Sequence, residues 1–137
     1  MRESLRRALE RFAERVTSLH GRVRVIVFGS RAKMEEYAAS DTDILVVLDR
    51  VTPGELVRLA EEARRSGIPS PEIHLYTFED LEKAKGNAVI MDAVLEGVPI
   101  IDTEKVMDRL RKSIEEYVRE KGLVKTRSGW WALGVES

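Results

Sequence analysis

The stretch that decides the fold runs from Gly29-Ser30, through ten residues, to Asp41-Thr42-Asp43. It lies between two short apolar runs, Val-Arg-Val-Ile-Val-Phe at 23–28 and Asp-Ile-Leu-Val-Val-Leu at 43–48. Both runs are rich in β-branched residues and are bounded by Gly, Ser or Asp, which predicts two strands, the second largely buried. A glycine-serine turn therefore follows the first strand, and two carboxylates open the second.

The two aspartates predict a cation site. Asp41 and Asp43 are two positions apart at a strand opening, so their side chains project from the same face with Cα atoms about 6.6 Å apart. At that distance, and with an effective dielectric of about 20, two carboxylates repel each other by roughly 2.5 kcal/mol. A hard divalent cation such as Mg²⁺ removes this cost and keeps positions open for phosphate oxygens. The plainer alternative is that Asp before a strand only forms a turn.

The Gly29-Ser30 turn predicts a phosphate site. The missing Cβ of Gly29 lets a phosphate approach the backbone, and the Ser30 hydroxyl can donate to phosphate oxygens. Arg31 and Lys33 add positive charge beside the turn; the plainer alternative is that they are solvated surface residues, but their placement beside Ser30 favours phosphate contact. An anion site joined to a cation site by one excursion matches a nucleoside triphosphate that carries its metal.

The segment resembles the minimal nucleotidyltransferases of the DNA polymerase beta superfamily, whose signature is Gly-Ser, ten residues, then Asp-x-Asp. Residues 40–46, Ser-Asp-Thr-Asp-Ile-Leu-Val, also resemble the family's Ser-Asp-x-Asp-Leu-x-Val. The resemblance implies an α+β nucleotidyltransferase fold, in which helices flank a small mixed sheet. It further implies that Ser30 binds the triphosphate of an NTP, ATP by default, while Asp41 and Asp43 hold Mg²⁺ or Mn²⁺.

The family's third carboxylate, on a later strand, is where the chain departs from the pattern. That strand usually resembles Val-Asp-Leu-Val-Thr, and the best match, Ile-His-Leu-Tyr-Thr at 73–77, places His74 at the acidic position. Glu72 lies two residues earlier on the same face. Either Glu72 is the base, or His74 accepts the proton, or the substrate assists, or nucleotide binds without fast chemistry. A neutral imidazole can ligate metal or accept a proton, but it cannot supply negative charge for a second Mg²⁺.

Each of these two residues also has a purely structural interpretation. A functional role for His74 and a structural one fit the sequence equally well. In the structural case, His74 is a partly buried strand histidine whose ring is satisfied by a backbone group. Glu72 is consistent with a solvent-facing residue or a strand cap. The sequence leaves both assignments open.

The resemblance implies three classes of function. The first is an enzyme that transfers a nucleoside monophosphate, AMP from ATP, to a hydroxyl acceptor. In one form of this hypothesis the acceptor hydroxyl belongs to a partner protein. The second is an antitoxin or interaction protein that pairs with a small helical HEPN-type toxin. The third is a nucleotide-binding relative that no longer catalyses transfer, because His74 occupies the acidic position. The acceptor and the nucleobase cannot be identified from the residues.

Composition bounds the partners. The chain has 137 residues, 43% of them apolar, which suits one ordinary domain. Its formal net charge of −1 does not favour nucleic-acid binding, although residues 1–33 hold nine Lys or Arg against three Glu. It lacks cysteine and any long apolar run, so we expect a cytoplasmic protein without a membrane span. With no glutamine, one asparagine and 34% charged residues, it resembles proteins adapted to high temperature.

Apolar spacing and turn residues predict the remaining elements. A first helix carries its apolar stripe through Leu19 and ends at Gly21, and a second begins at Thr52 or Pro53 with Leu56 among its apolar positions. Short helices near 78 and at 87–96 flank an edge strand at 98–101 that contains Pro99. We assign 1–102 to the nucleotidyltransferase domain and 103–137 to a C-terminal helix and hairpin-like tail packed on it. Trp130-Trp131 in that tail cover either the core or a homodimer interface.

Overall fold

The computed structural model describes residues 2–29, 41–83, 86–102 and 107–132. Within these ranges the chain forms five helices and six strands. In chain order they are α1 (Glu3–His20), β1 (Val23–Phe28), β2 (Thr42–Leu48), α2 (Glu55–Arg65), β3 (Pro71–Thr77), α3 (Phe78–Lys83), α4 (Ala88–Glu96), β4 (Val98–Asp102), α5 (Met107–Lys121), β5 (Leu123–Thr126) and β6 (Gly129–Ala132).

The main sheet is mixed and has the strand order β3-β2-β1-β4. Strand β1 pairs antiparallel with β2 and with β4, whereas β2 and β3 run parallel. Strand β4 lies at an edge, where the missing amide hydrogen of Pro99 is tolerated, as its sequence predicts. The predicted class, a small mixed sheet flanked by helices and followed by a C-terminal helix and hairpin, is confirmed.

Helices cover both faces of the sheet, so its two central strands are buried on both sides. Side chains alternate along a strand, and Val25 therefore joins the core shared with α1 and α2, while Ile26 joins the core shared with α3, α4 and α5. All six residues of β1 are buried. This double burial holds β1 and β2 in place and fixes the strand ends that carry the candidate site.

Helix α2 begins later than predicted and buries only part of its predicted apolar set. It begins at Glu55, after Gly54, and its buried residues are Glu55, Leu59 and Ala63. The Glu55 carboxylate lies 3.5 Å from His20 Nε2, so this face of α2 contacts the end of α1. Leu56, one position round the helix, is consequently 50% exposed, so its predicted place in the apolar stripe is wrong.

Leu19 is also exposed, contrary to the prediction. It lies in the last turn of α1, is 64% exposed, and lines a groove of about 550 Å³ together with Glu55 and Leu59 of α2. This groove is at the end of β2 opposite to the aspartates, because β2 begins beside Asp41 and leads towards Thr52.

The C-terminal hairpin packs against α4 and against the core that the sheet shares with α3, α4 and α5. Trp130 Nε1 donates a hydrogen bond of 2.9 Å to Asp92, and Lys125 Nζ contacts the same carboxylate oxygen at 2.7 Å. Trp130 therefore covers the core, one of the two predicted alternatives, whereas Trp131 is 56% exposed. Residues 103–106 lie outside the described ranges, and the domain boundary at 102 stays a prediction. No described helix is both long and apolar enough to cross a membrane.

Candidate functional site

Three potential metal ligands converge where β2 and β3 begin. The parallel register pairs Asp43 with Glu72 and Leu45 with His74, so all three polar side chains point to the same face of the sheet. One ligand atom from each of Asp43, Glu72 and His74 lies within 4.8 Å of the others. We call these three residues the donor cluster.

The imidazole of the cluster is held in position by its neighbours. His74 Nε2 lies 3.4 Å from Asp43 Oδ1, and the ring packs at a tilt of 53° against Phe28, with ring centroids 5.3 Å apart. The side chains of His74 and Asp43 are 22% and 28% exposed, respectively. The ring is thus fixed on one side by an aromatic contact and on the other by a carboxylate.

Glu72 is the exposed member of the cluster, and its electrostatic surroundings are dominated by like charge. Desolvation of its carboxylate, followed by the negative charge of Asp43, raises the pKa of Glu72 above its usual range. A hydrogen bond to Asp43 and the charge of Asp41 act in the same direction, and His74 partly opposes them. Three carboxylates, those of Asp41, Asp43 and Glu72, therefore lie close enough to influence one another at this strand opening.

Gly29 makes room for the cluster. Its φ is +78°, a region that L residues rarely adopt, and a Cβ added there would lie 2.7 Å from Asp43 Oδ2. We predicted that the missing Cβ lets a phosphate approach the backbone. The structure reveals a second reason that the sequence did not signal, namely that the Asp43 carboxylate packs against this glycine.

Thr42 is a positioning residue that the sequence reasoning missed. Its side chain is fully buried, and its hydroxyl donates a hydrogen bond of 2.6 Å to the carbonyl of Pro69. Its amide donates to the carbonyl of Ser70, a residue with a φ of +44°. These bonds tie the turn before β3 to the start of β2. The only available signal was a hydroxyl between the two aspartates.

The other predicted site residues are placed as follows. Asp41 precedes β2, is exposed, and among the described residues is not part of the donor cluster, although its charge contributes to the pKa of Glu72. Ser30, Arg31 and Lys33 lie outside the described residues. The structure therefore brings together Asp43, Glu72 and His74, with Asp41 close by.

The donor set fits a divalent cation. It combines two carboxylates with an imidazole, all donors that divalent metals use in proteins, at a spacing that one ion can bridge. The proximity of the Asp41 and Asp43 carboxylates to Glu72 agrees with this interpretation. Chemically, a cation held in such a site could neutralise the charge of a polyphosphate.

Comparison with known proteins identifies the family of the chain. A family model described as a nucleotidyltransferase domain matches residues 9–121. The chain belongs to this family. The resemblance of its motif to the minimal nucleotidyltransferases of the polymerase beta superfamily is thereby confirmed. No curated protein gave a significant match.

Two solved structures share the nucleotidyltransferase fold of the chain. A toxin–antitoxin crystallised with AMP-PNP aligns with a TM-score of 0.59 at 17% identity, covering 82% of this chain and 89% of that chain. A mutant of the toxin–antitoxin MntA-HpeT with two aspartates changed to glutamate aligns with a TM-score of 0.58 at 14% identity, covering 82% and 88%. At such low identity the likeness concerns the fold alone.

Proposed function

We propose that this nucleotidyltransferase-family protein transfers a nucleoside monophosphate, AMP from ATP, to a hydroxyl acceptor with the help of a divalent cation. The observation that carries the proposal is the convergence of Asp43, Glu72 and His74 within 4.8 Å, with Asp41 beside them, in a chain of this family. Asp41 and Asp43 are the proposed ligands of Mg²⁺ or Mn²⁺.

The proposed reaction is a displacement at the α-phosphorus. The acceptor oxygen forms a bond to this phosphorus, the α–β phosphoanhydride bond breaks, and pyrophosphate leaves. Glu72 takes the hydroxyl proton, because its carboxylate is the exposed member of the cluster and an acceptor can reach it. When bound, the cation neutralises charge on the phosphates, and positioning of the two reactants supplies much of the remaining rate.

Ser30 and the Gly29 turn, with Arg31 and Lys33, are the proposed contacts of the triphosphate. Gly29 directly follows β1, so this turn adjoins the strand whose last residue packs against His74. Backbone amides in such a turn suit phosphate oxygens.

The test is label transfer from α-labelled ATP with Mg²⁺ or Mn²⁺, with both pyrophosphate and labelled protein measured. We expect Asp43→Asn to lower transfer at least a hundredfold, because the change removes a charged ligand, and Asp41→Asn to lower it in the same direction. Asp49→Asn is the matched control, since Asp49 follows the opposite end of β2 and pairs with Arg22 at 3.5 Å. Transfer that survives in both Asp41→Asn and Asp43→Asn would refute the proposal.

A second candidate is an antitoxin-like role, in which the acceptor hydroxyl belongs to a small helical partner protein. Its support is that both aligned structures are toxin–antitoxins, one of them with AMP-PNP. Adding such a partner to the labelling reaction separates the possibilities. Label on the partner favours this role, whereas Mg-ATP that raises the Tm while no product forms indicates a binding-only relative.

A further inference from the structure

We propose that His74 is itself a metal ligand, and that the cluster therefore selects a transition-metal cation such as Mn²⁺ over Mg²⁺. The inference rests on the proposed function and specifies the cofactor of that site. It assigns to His74 a role as ligand instead of proton acceptor.

The geometry favours coordination by the imidazole. His74 Nε2 is 3.4 Å from Asp43 Oδ1, a distance that one cation can bridge by bonding to both atoms. The contact with Phe28 holds the ring in this orientation, so little conformational entropy is lost when a cation binds. One oxygen of Glu72 completes the set, and its second oxygen is left for the acceptor proton.

The donor types determine the selectivity. Mg²⁺ strongly prefers an all-oxygen octahedron and gives up its water reluctantly, whereas first-row transition metals also bind imidazole. Replacing a carboxylate by a neutral imidazole also removes one negative charge from the site. This loss weakens the binding of a hard cation such as Mg²⁺ most, because its binding depends mainly on charge. Mn²⁺ accepts carboxylate and imidazole together and keeps the octahedral positions that a polyphosphate needs.

The chain contains a matched control for the imidazole. His20 is its only other histidine, is 22% exposed like His74, and also lies close to one carboxylate, with Nε2 3.5 Å from Glu55 Oε1. A single carboxylate and a histidine do not make the three-donor arrangement of the cluster. His20→Asn therefore reports the effect of losing a partly exposed histidine without affecting the proposed metal site.

The experiment measures metal binding directly, without relying on activity. Binding of Mn²⁺ is followed by electron paramagnetic resonance, Mg²⁺ is measured by competition, and spin-echo modulation detects ¹⁴N bound to Mn²⁺. We expect at least tenfold tighter binding of Mn²⁺ than of Mg²⁺, with ¹⁴N coupling from one imidazole. His74→Asp should remove the coupling and reduce the preference at least tenfold, whereas His20→Asn should leave both unchanged.

The outcomes separate this inference from the proposed function. Equal affinities for Mn²⁺ and Mg²⁺, or no ¹⁴N coupling in the unmodified protein, overturn the inference even where label transfer succeeds. Coupling that survives in His74→Asp overturns it as well. Preferential Mn²⁺ binding with His74-dependent coupling supports it even where no acceptor is labelled, in which case only the transfer reaction is refuted.

Discussion

Replacing Gly29 by alanine tests whether this glycine shapes the donor cluster. The new Cβ would lie 2.7 Å from Asp43 Oδ2, whereas ordinary contact begins near 3.4 Å. The carboxylate must therefore retreat by about 0.7 Å, the difference between these distances. Since Asp43 is the residue that contacts His74, its displacement opens the cluster at its centre.

Two effects of Gly29→Ala are expected, and they have different magnitudes. The positive φ costs an alanine about 1 to 2 kcal/mol, or roughly 3 to 8 °C in Tm for a domain of this size. Displacing a ligand weakens metal binding by about tenfold or more. At a metal concentration of about 100 times the original Kd, stabilisation by the metal then falls from about 2.7 to about 1.4 kcal/mol.

The assay is thermal unfolding with and without Mn²⁺, and Gly21→Ala is its control. Gly21 has a φ of +79°, nearly that of Gly29, but a Cβ there would meet nothing within 4 Å. Both variants should lose stability without metal, and only Gly29→Ala should also lose about half of the metal-induced gain. Equal metal-induced gains in the two variants would refute the steric reasoning.

Two further predictions concern bonds that position the site and the tail. Thr42→Val removes the buried hydroxyl that donates to Pro69, so we expect the free energy of unfolding to fall by about 1 to 3 kcal/mol and Mn²⁺ binding to weaken. Thr42→Ser keeps the hydroxyl and should keep the original stability and Mn²⁺ affinity. Unchanged stability in Thr42→Val would contradict this reasoning. Asp92→Ala removes the shared acceptor of Trp130 and Lys125, and amide hydrogen exchange in the hairpin should rise severalfold while Mn²⁺ affinity is unchanged. Exchange equal to that of the unmodified protein would show that these bonds do not hold the hairpin.

Local patterns predicted most of the secondary structure, although α2 begins later than expected. Strand β1 is bounded by Gly21 and Gly29, helix α4 ends before Gly97, and Asn87 caps α4 by accepting a hydrogen bond from the amide of Val89. Each of these signals acts within a few residues of the chain. The position of Pro99 in an edge strand was predicted from an equally local signal, because proline lacks the amide hydrogen that a central strand needs.

Long-range polar pairs could not be predicted in this way. Arg24 was counted among the positive charges of residues 1–33, yet it is only 3% exposed and its Nε donates to Asp102 at 3.1 Å. Its guanidinium also lies over the ring of Phe78, at 4.7 Å. The partners are far apart in the sequence, so no local pattern marks Arg24 as buried. The same reason explains why the inward orientation of Glu55 was missed.

The site residues show the same contrast between local patterns, which the sequence reveals, and long-range contacts, which it does not. Spacing alone placed Asp41 with Asp43 on one strand face and Glu72 with His74 on a face of a later strand, because the period of a strand is two. Which of them come within 4.8 Å depends on the register of β2 against β3, and that register was not available from either strand alone. The position of Asp41, exposed and beside the cluster, is likewise a property of where β2 begins.

The register of β2 and β3 therefore matters more to this site than the identity of any one donor. A shift of one residue would turn Glu72 and His74 to the opposite face and leave Asp43 alone. Parallel strands lack the tight hairpin that fixes an antiparallel register, so other contacts must fix it. Thr42 provides two of them, through its hydroxyl to Pro69 and its amide to Ser70. Because Thr42 lies between the two aspartates, one tripeptide both carries the proposed ligands Asp41 and Asp43 and aligns the strand that brings Glu72 and His74.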